Sequence, residues 1–152
     1  MKLPVYIGLL HVGERTLAQS FRQLADGHGD EPDVYHLCHT LAQQCDEHER
    51  RLAPIVQRYG EQPDDEPERF HTEAMTQSRS GPLGLLRDLQ DMHTLVAFVD
   101  TTWTVVKQAA LALRDEELLE VTKQCESQTK LQQDWLSTRL KQAAPQALLV
   151  AS

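Results

Sequence analysis

The pattern of apolar and polar residues along this chain predicts four long amphipathic helices. Apolar side chains recur at alternating steps of three and four residues, which places them on one face of an α-helix. Segments containing glycine and proline separate these stretches and interrupt the pattern between them. The predicted helices span residues 4–26, 34–59, 82–113 and 116–143.

Proline and glycine mark the ends of the first two predicted helices. Pro4 is suited to a first helical turn, and Gly27 is typical of the residue that ends a helix. Asp33 is a favourable N-cap for the second helix, which Gly60 ends. Pro54 lies inside that helix, so we expect a kink or a local break there.

The third and fourth predicted helices form a second hairpin. Arg114-Asp115 allows only a tight reversal, so the fourth helix should run back antiparallel to the third. The fourth helix is expected to end before Pro145 and to leave an apolar tail, 147–150, that docks on the bundle or on a partner. Its predicted inward positions are Leu118, Val121, Cys125, Gln128, Leu131 and Trp135.

The connection between the two hairpins is long. Residues 61–79 contain Pro63, Pro67 and an acidic stretch, and at about 3.3 Å per extended residue they could span a whole bundle. A bundle of up-down-up-down topology needs no such connection, although a long loop can also be an insertion. The prediction is therefore one all-α domain, 1–152, an antiparallel four-helix bundle of ferritin-like type with two hairpins joined by a crossover.

Composition and charge narrow the class of protein. The chain has 40% hydrophobic and 25% charged residues, which is ordinary for a globular domain. Its formal net charge of −8 argues against binding of nucleic acid, and the chain lacks the run of about 20 apolar residues that a membrane span requires. Three cysteines and seven histidines suit a reducing cytoplasm.

Five polar residues fall on the inward faces of the predicted helices at similar heights. A carboxylate that faces a bundle core must be paired, protonated or bound to metal, because an isolated buried charge is prohibitively unfavourable. The acidic residue on the first helix is therefore the most informative of the five. The five residues are Glu14, Cys45, His48, Cys125 and Gln128.

These residues support more than one interpretation. Glu14 and His48 can form a buried hydrogen bond that only fixes the helix register, while buried cysteines commonly serve as small apolar side chains. Alternatively, Glu14, Cys45, His48 and Cys125 form a tetrahedral metal site that suits zinc or a similar thiophilic ion. A Cys45–Cys125 disulfide is a third alternative, less expected in a reducing compartment.

Two segments carry a resemblance to a known family. The stretch Val99-Asp100-Thr101-Thr102-Trp103 through Leu131, with its Leu113-Arg114-Asp115 turn, resembles the second hairpin of the YciE/YciF-type ferritin-like bacterial proteins. Glu14 followed by Leu17, and His48 followed by Leu52, suit the first hairpin. The resemblance implies a ferritin-like fold and an association with stress.

The resemblance also allows a residue-by-residue comparison with a di-iron centre, which takes a Glu from each of two helices and Glu-x-x-His from each of the other two. Glu14 matches the first Glu, and His48 matches the first His. The other positions do not match, so we expect neither ferroxidase nor oxygenase activity. In the remaining ligand positions stand Cys45 for Glu, Val99 for Glu, Cys125 for Glu and Gln128 for His.

The sequence therefore favours a non-catalytic ferritin-like bundle that works as a homo-oligomer or as a module that binds a protein partner. The alternative is a metal-binding protein with a mononuclear site at Glu14, Cys45, His48 and Cys125, for which zinc or iron is the candidate cofactor. A hemerythrin-like or DinB-like bundle is a third alternative, but the chain lacks paired HxxxH and HxxxE motifs. No catalytic residue, nucleic-acid partner or membrane partner is predicted.

Overall fold

Four α-helices make up the computed structural model, which describes residues 1–61, 75 and 77–151. The helices are α1 (Leu3–Gly27), α2 (Pro32–Tyr59), α3 (Gly81–Leu113) and α4 (Glu116–Pro145), and a π-helical turn (Gln146–Val150) follows α4. The predicted all-α four-helix bundle is confirmed. Within the described residues, no helix has the length and apolar character that a membrane span requires.

Local chemistry at the helix ends differs from the prediction in three places. Helix α2 begins at Pro32 with Glu31 as its N-cap, so Asp33 lies in the first turn and does not cap the helix. Its negative charge still favours that turn through the helix dipole. Helix α2 continues without a break through the exposed Pro54, so the alternative of a local break is wrong, while the alternative of a kink stays a prediction. Helix α4 continues to Pro145 before the π-helical turn.

The helices pack as two antiparallel hairpins. Helix α1 packs against α2 and α3, and α4 packs against α3 and α2. Where α1 meets α3 the backbones approach closely, because a methyl group at Gly13 would lie only 3.1 Å from Cγ2 of Val99. Each helix thus has two neighbours and an outer face.

Side-chain contacts show which helix ends meet. Asp115 caps α4 by accepting a hydrogen bond from the amide of Leu118 at 3.0 Å, and it also binds Arg58 of α2 at 2.9 Å. At the other end of the bundle, the amide of Met75 donates to Oγ of Ser20 at 3.0 Å. Helix α2 therefore ends at one end of the bundle, and α3 begins at the other. Most of that connection, residues 62–74 and 76, lies outside the described residues, as does residue 152.

The apolar stripes predicted for α1 and α2 form the core, but the stripe of α4 is shifted. Leu131 is 67% exposed, so the prediction that it faces inward is wrong. Gln128 is exposed too, but its side chain reaches inward to His48, as predicted. Leu113 at the end of the α3 stripe is also exposed. The buried residues of α4 are Leu118, Thr122, Cys125, Glu126, Thr129, Gln132, Leu136 and Ala143.

The outer faces of α3 and α4 differ in charge. Arg87 is the only charged residue among the exposed positions of α3, all of which the structure describes. Exposed positions of α3 include Leu83, Val105, Leu111 and Leu113. Helix α4, of similar length, exposes the charged residues Glu116, Glu117, Glu120, Lys123, Lys130, Asp134 and Lys141.

The apolar tail predicted after α4 forms the π-helical turn. This turn contacts α3 and α4, and Ala147 packs against the core. The next three side chains point away from the bundle: Leu148, Leu149 and Val150 are 63%, 83% and 68% exposed. An ordered segment therefore presents apolar surface to solvent.

Candidate functional site: a polar layer in the bundle core

The inward-facing carboxylate predicted on the first helix is present and paired. Glu14 and His48 are both buried, and Nδ1 of His48 lies 3.1 Å from Oε1 of Glu14. Helix α1 supplies the acid and α2 the imidazole, so the contact joins the two helices of the first hairpin. Of the alternatives left open by the sequence, the geometry matches the buried hydrogen bond.

A third helix contributes to the same carboxylate oxygen. Nε1 of Trp103 donates a hydrogen bond to Oε1 of Glu14 at 2.9 Å, and Trp103 is fully buried on α3. The indole also lies edge-on to the ring of His48, with centroids 6.4 Å apart. The apolar pattern of the sequence gives no signal for this donor, because an indole that packs in a core looks the same whether or not its N–H is bonded.

Helix α4 completes the layer through an amide. Nε2 of His48 lies 2.7 Å from Oε1 of Gln128, whose side chain reaches inward from an exposed position. Both ring nitrogens of His48 therefore face oxygen acceptors. Only the imidazolium can donate to two acceptors at once, so the geometry favours protonated His48.

The surroundings of His48 agree with that assignment. Burial lowers the pKa of the imidazole, but the hydrogen bond and negative charge of Glu14 raise it, with a further contribution from Gln128. The net effect is a pKa above the ordinary value for His. The pair is consequently best described as a buried carboxylate–imidazolium ion pair.

One oxygen of the Glu14 carboxylate has no hydrogen-bond donor among the described residues. Oε2 of Glu14 is buried, and no described residue donates a hydrogen bond to it. The opposite oxygen, Oε1, accepts two bonds, from Trp103 and from His48. A buried acceptor without a donor is unfavourable, so this atom is the one place in the layer where a ligand would gain a contact.

The predicted cysteine ligands lie close enough to Glu14 for its charge to raise the pKa of both thiols, and Cys45 also contacts Gln132. Cys45 is fully buried, and its Sγ lies 3.7 Å from Nε2 of Gln132. Gln132 in turn donates to Oε1 of Gln44 at 3.1 Å. Helix α4 thus presents Gln132 to Cys45. The sequence did not predict this contact, because its apolar pattern places neighbouring residues of α4, and not Gln132, on the inward face.

All three cysteines are free thiols in buried positions of the described helices. Burial, reinforced by the charge of Asp33, raises the pKa of Cys38 to about 12. Burial and the charge of Glu14 raise the pKa of Cys45 and of Cys125 well above the ordinary value for a thiol. The alternative of a Cys45–Cys125 disulfide is therefore not what the structure contains. Without a nearby cation these side chains stay protonated and are poor nucleophiles.

The four predicted metal ligands are thus all buried. The part of the chain that the structure describes contains no group of three or more His, Cys, Asp or Glu residues that could hold a metal ion. Glu14 and His48 are hydrogen-bonded to each other, whereas joint ligation would need both atoms at about 2.0–2.2 Å from the metal. The metal site at Glu14, Cys45, His48 and Cys125 stays a prediction.

A second buried polar cluster lies at the end of the bundle where α3 begins. Asp88 is fully buried and binds Nε2 of His28 at 2.7 Å. The same carboxylate accepts a hydrogen bond from the amide of Arg79 at 2.8 Å and from its guanidinium at 2.7 Å. The cluster ties the α1–α2 turn and the end of the long connection to α3. Sequence periodicity gave no signal for it, because the partners are far apart in the chain.

Comparison of this chain with known proteins identifies no family. The chain matches no protein-family model, and comparisons with curated proteins and with solved structures give no significant match. The class that the fold defines is therefore an all-α four-helix bundle of two hairpins.

Proposed function

We propose that this chain is a non-catalytic bundle of ferritin-like topology that acts by self-association. The same proposal includes the binding of a different protein through the same apolar surface. The polar layer then serves to hold the four helices in register. The long connection, which joins opposite ends of the bundle, and the neighbours of each helix support the ferritin-like arrangement.

The contacts within the polar layer support a structural role. His48 uses both ring nitrogens on Glu14 and Gln128, and Trp103 donates to the same Oε1 of Glu14. Val99 occupies the position on α3 at which a di-iron centre would need a glutamate, and it packs against Gly13. A mutually bonded set of this kind specifies one helix register, which is the best-attested use of buried polar groups in bundles.

The observation that carries the proposal is the exposed apolar surface of the π-helical turn and of α3. Leu148, Leu149 and Val150 are presented on an ordered segment that already contacts α3. Three successive exposed apolar side chains are more than scattered single ones, and such surface is typical of a protein–protein contact. The charged outer face of α4 does not share this property.

Light scattering coupled to size-exclusion chromatography of the untagged chain tests the proposal. We expect a mass above the 17.3 kDa of one chain, and we expect it to fall on dilution. The double variant Leu148→Ser, Leu149→Ser should self-associate less than the wild type, because it removes apolar surface without touching the core. A mass of 17.3 kDa at every concentration would overturn self-association.

The second candidate function is metal binding, and one observation favours it. Oε2 of Glu14 is buried without a donor, beside two thiols whose pKa values its charge raises. A cation would satisfy that oxygen and lower the pKa of both thiols, although the side chains would first have to rearrange. Metal analysis of protein purified without a tag tests this function. Less than stoichiometric zinc and iron, together with no loss of stability in Cys45→Ser, would end it.

A further inference from the structure

The exposed face of α3 has an unusual charge distribution for this chain. Its one exposed charged residue is Arg87, although the whole chain carries a net charge of −8. The half-buried charges at the edges of α3 are paired within the chain: Asp91 with Arg79 at 2.9 Å, Asp100 with Lys130 at 3.4 Å, and Lys107 with Glu126 at 3.5 Å. Two strongly acidic molecules would approach each other with least repulsion at such a face.

We propose that the exposed face of α3 is the contact surface of a homodimer, in which the α3 helices of two copies pack antiparallel across a two-fold axis near Ala97 and Phe98. This inference rests on the proposed self-association and names the surface and the partner. The partner is a second copy of this chain.

The spacing of the exposed positions supports the antiparallel register. Residues 83, 87, 90 and 94, and then 101, 105, 108 and 112, follow steps of three and four along the outer face of α3, with one step of seven across the half-buried Ala97 and Phe98. With the axis between residues 97 and 98, Leu83 of one copy lies opposite Ala112 of the other, and Thr94 lies opposite Thr101. A shift by one heptad in either direction would leave one end of the face without a partner and would bury less surface.

Charge distinguishes the antiparallel arrangement from the parallel one. In a parallel pair Arg87 would face Arg87 of the second copy, which is unfavourable. In the antiparallel register it faces Gln108 instead, and the two arginines lie about 30 Å apart at 1.5 Å per residue. That separation exceeds the screening length of about 8 Å at physiological salt.

The area of the face matches a weak, reversible contact between two copies. Helix α3 is about 50 Å long and its face is about 10 Å wide, so a pair buries about 1,000 Å² in total, near the lower limit for specific interfaces. An apolar groove of about 200 Å³ adjoins the face at Val105 and adds to it. The groove is lined by Lys2, Leu3, Tyr6, Val105, Val106 and Ala109.

Sedimentation velocity of matched variants tests the inference. Val105, 49% exposed, is replaced in Val105→Glu, and the control Leu131→Glu places the same charge at an exposed apolar position of α4. We expect Val105→Glu to weaken dimerisation at least tenfold and Leu131→Glu to leave it unchanged. Circular dichroism confirms that each variant is folded. Thr101→Glu, at the centre of the face, repeats the test at a site where the side chain is solvent-exposed.

The variant Gln108→Glu tests the antiparallel register. It places a carboxylate opposite Arg87 of the second copy, so we expect tighter dimers at low salt and a loss of the gain at high salt. Weaker dimers would overturn the antiparallel register, because the new charges would then face each other.

The possible outcomes separate the two proposals. A wild-type dimer that neither Val105→Glu nor Thr101→Glu weakens would overturn the α3 interface and leave self-association intact. A wild-type chain that is monomeric at all concentrations would overturn both.

Discussion

At the scale of single residues, the central feature is one carboxylate oxygen that is held by two donors from different helices. Trp103 and His48 bind Oε1 of Glu14 from α3 and α2, so three helices meet at one atom. Hydrogen bonds to a buried charge are stronger than neutral ones, because the low local dielectric strengthens them. The loss of one donor should consequently be costly.

Trp103→Phe tests this donor. The substitution removes the indole N–H and keeps an aromatic ring, so we expect a loss of about 1–3 kcal/mol in the free energy of unfolding, measured with urea. The control is Trp135→Phe on the half-buried Trp135, which does not touch Glu14 in the structure and should cost less. Equal losses for the two variants would argue that packing alone holds the indole.

The ion pair of Glu14 and His48 predicts a pH dependence. The folded-state pKa of His48 lies above the ordinary value of 6.5, so its contribution to stability is complete below pH 6.5. The contribution is lost as the pH rises from 6.5 through the raised pKa. We expect the stability advantage of the wild type over Glu14→Gln to be largest near pH 6 and to shrink towards pH 9. An advantage that stays constant or grows over this range would contradict the ion pair.

The sequence predicted part of this layer and missed the rest for physical reasons. Glu14 and His48 interrupt regular apolar stripes, so periodicity alone placed both of them inward. Helix α4 has glutamines on several faces, and the phase of its stripe was therefore poorly determined. The apolar pattern therefore places Leu131 in the core, although it is exposed. It gives no signal for Gln132, which faces Cys45.

At the scale of helices and connections, a buried and a half-buried carboxylate on the same helix have different roles. Asp88 and Asp91 are both on α3 and both bind the guanidinium of Arg79, at 2.7 Å and 2.9 Å. Asp88 is buried and also holds His28 and the amide of Arg79, whereas Asp91 lies at the surface. The helix topology could be predicted from the chain, but this tie between distant segments could not.

This pair provides a matched test. We expect Asp88→Asn to lower the free energy of unfolding by about 2–4 kcal/mol, because the new amide offers a donor where His28 and Arg79 already donate. Asp91→Asn removes a surface ion pair and should cost less than about 1 kcal/mol. Urea unfolding of both variants measures the difference. Similar losses would show that Asp88 does not organise this end of the bundle.

At the scale of the whole molecule, the charge is distributed unevenly over the surface. Helix α4 exposes seven charged residues, and α3 exposes only Arg87, on an outer face of similar length. Together with the apolar π-helical turn beside α3, this asymmetry gives the bundle one side that favours association and one that favours solvent. The prediction of an apolar tail after α4 anticipated part of this surface, but the neutral face of α3 emerged only once burial was known.

Sedimentation equilibrium of the untagged wild-type chain, across a range of micromolar concentrations, tests the central claim of self-association most directly. The account predicts a reversible monomer–dimer equilibrium whose limiting mass is twice the 17.3 kDa of one chain. A single species of 17.3 kDa at every concentration would contradict it.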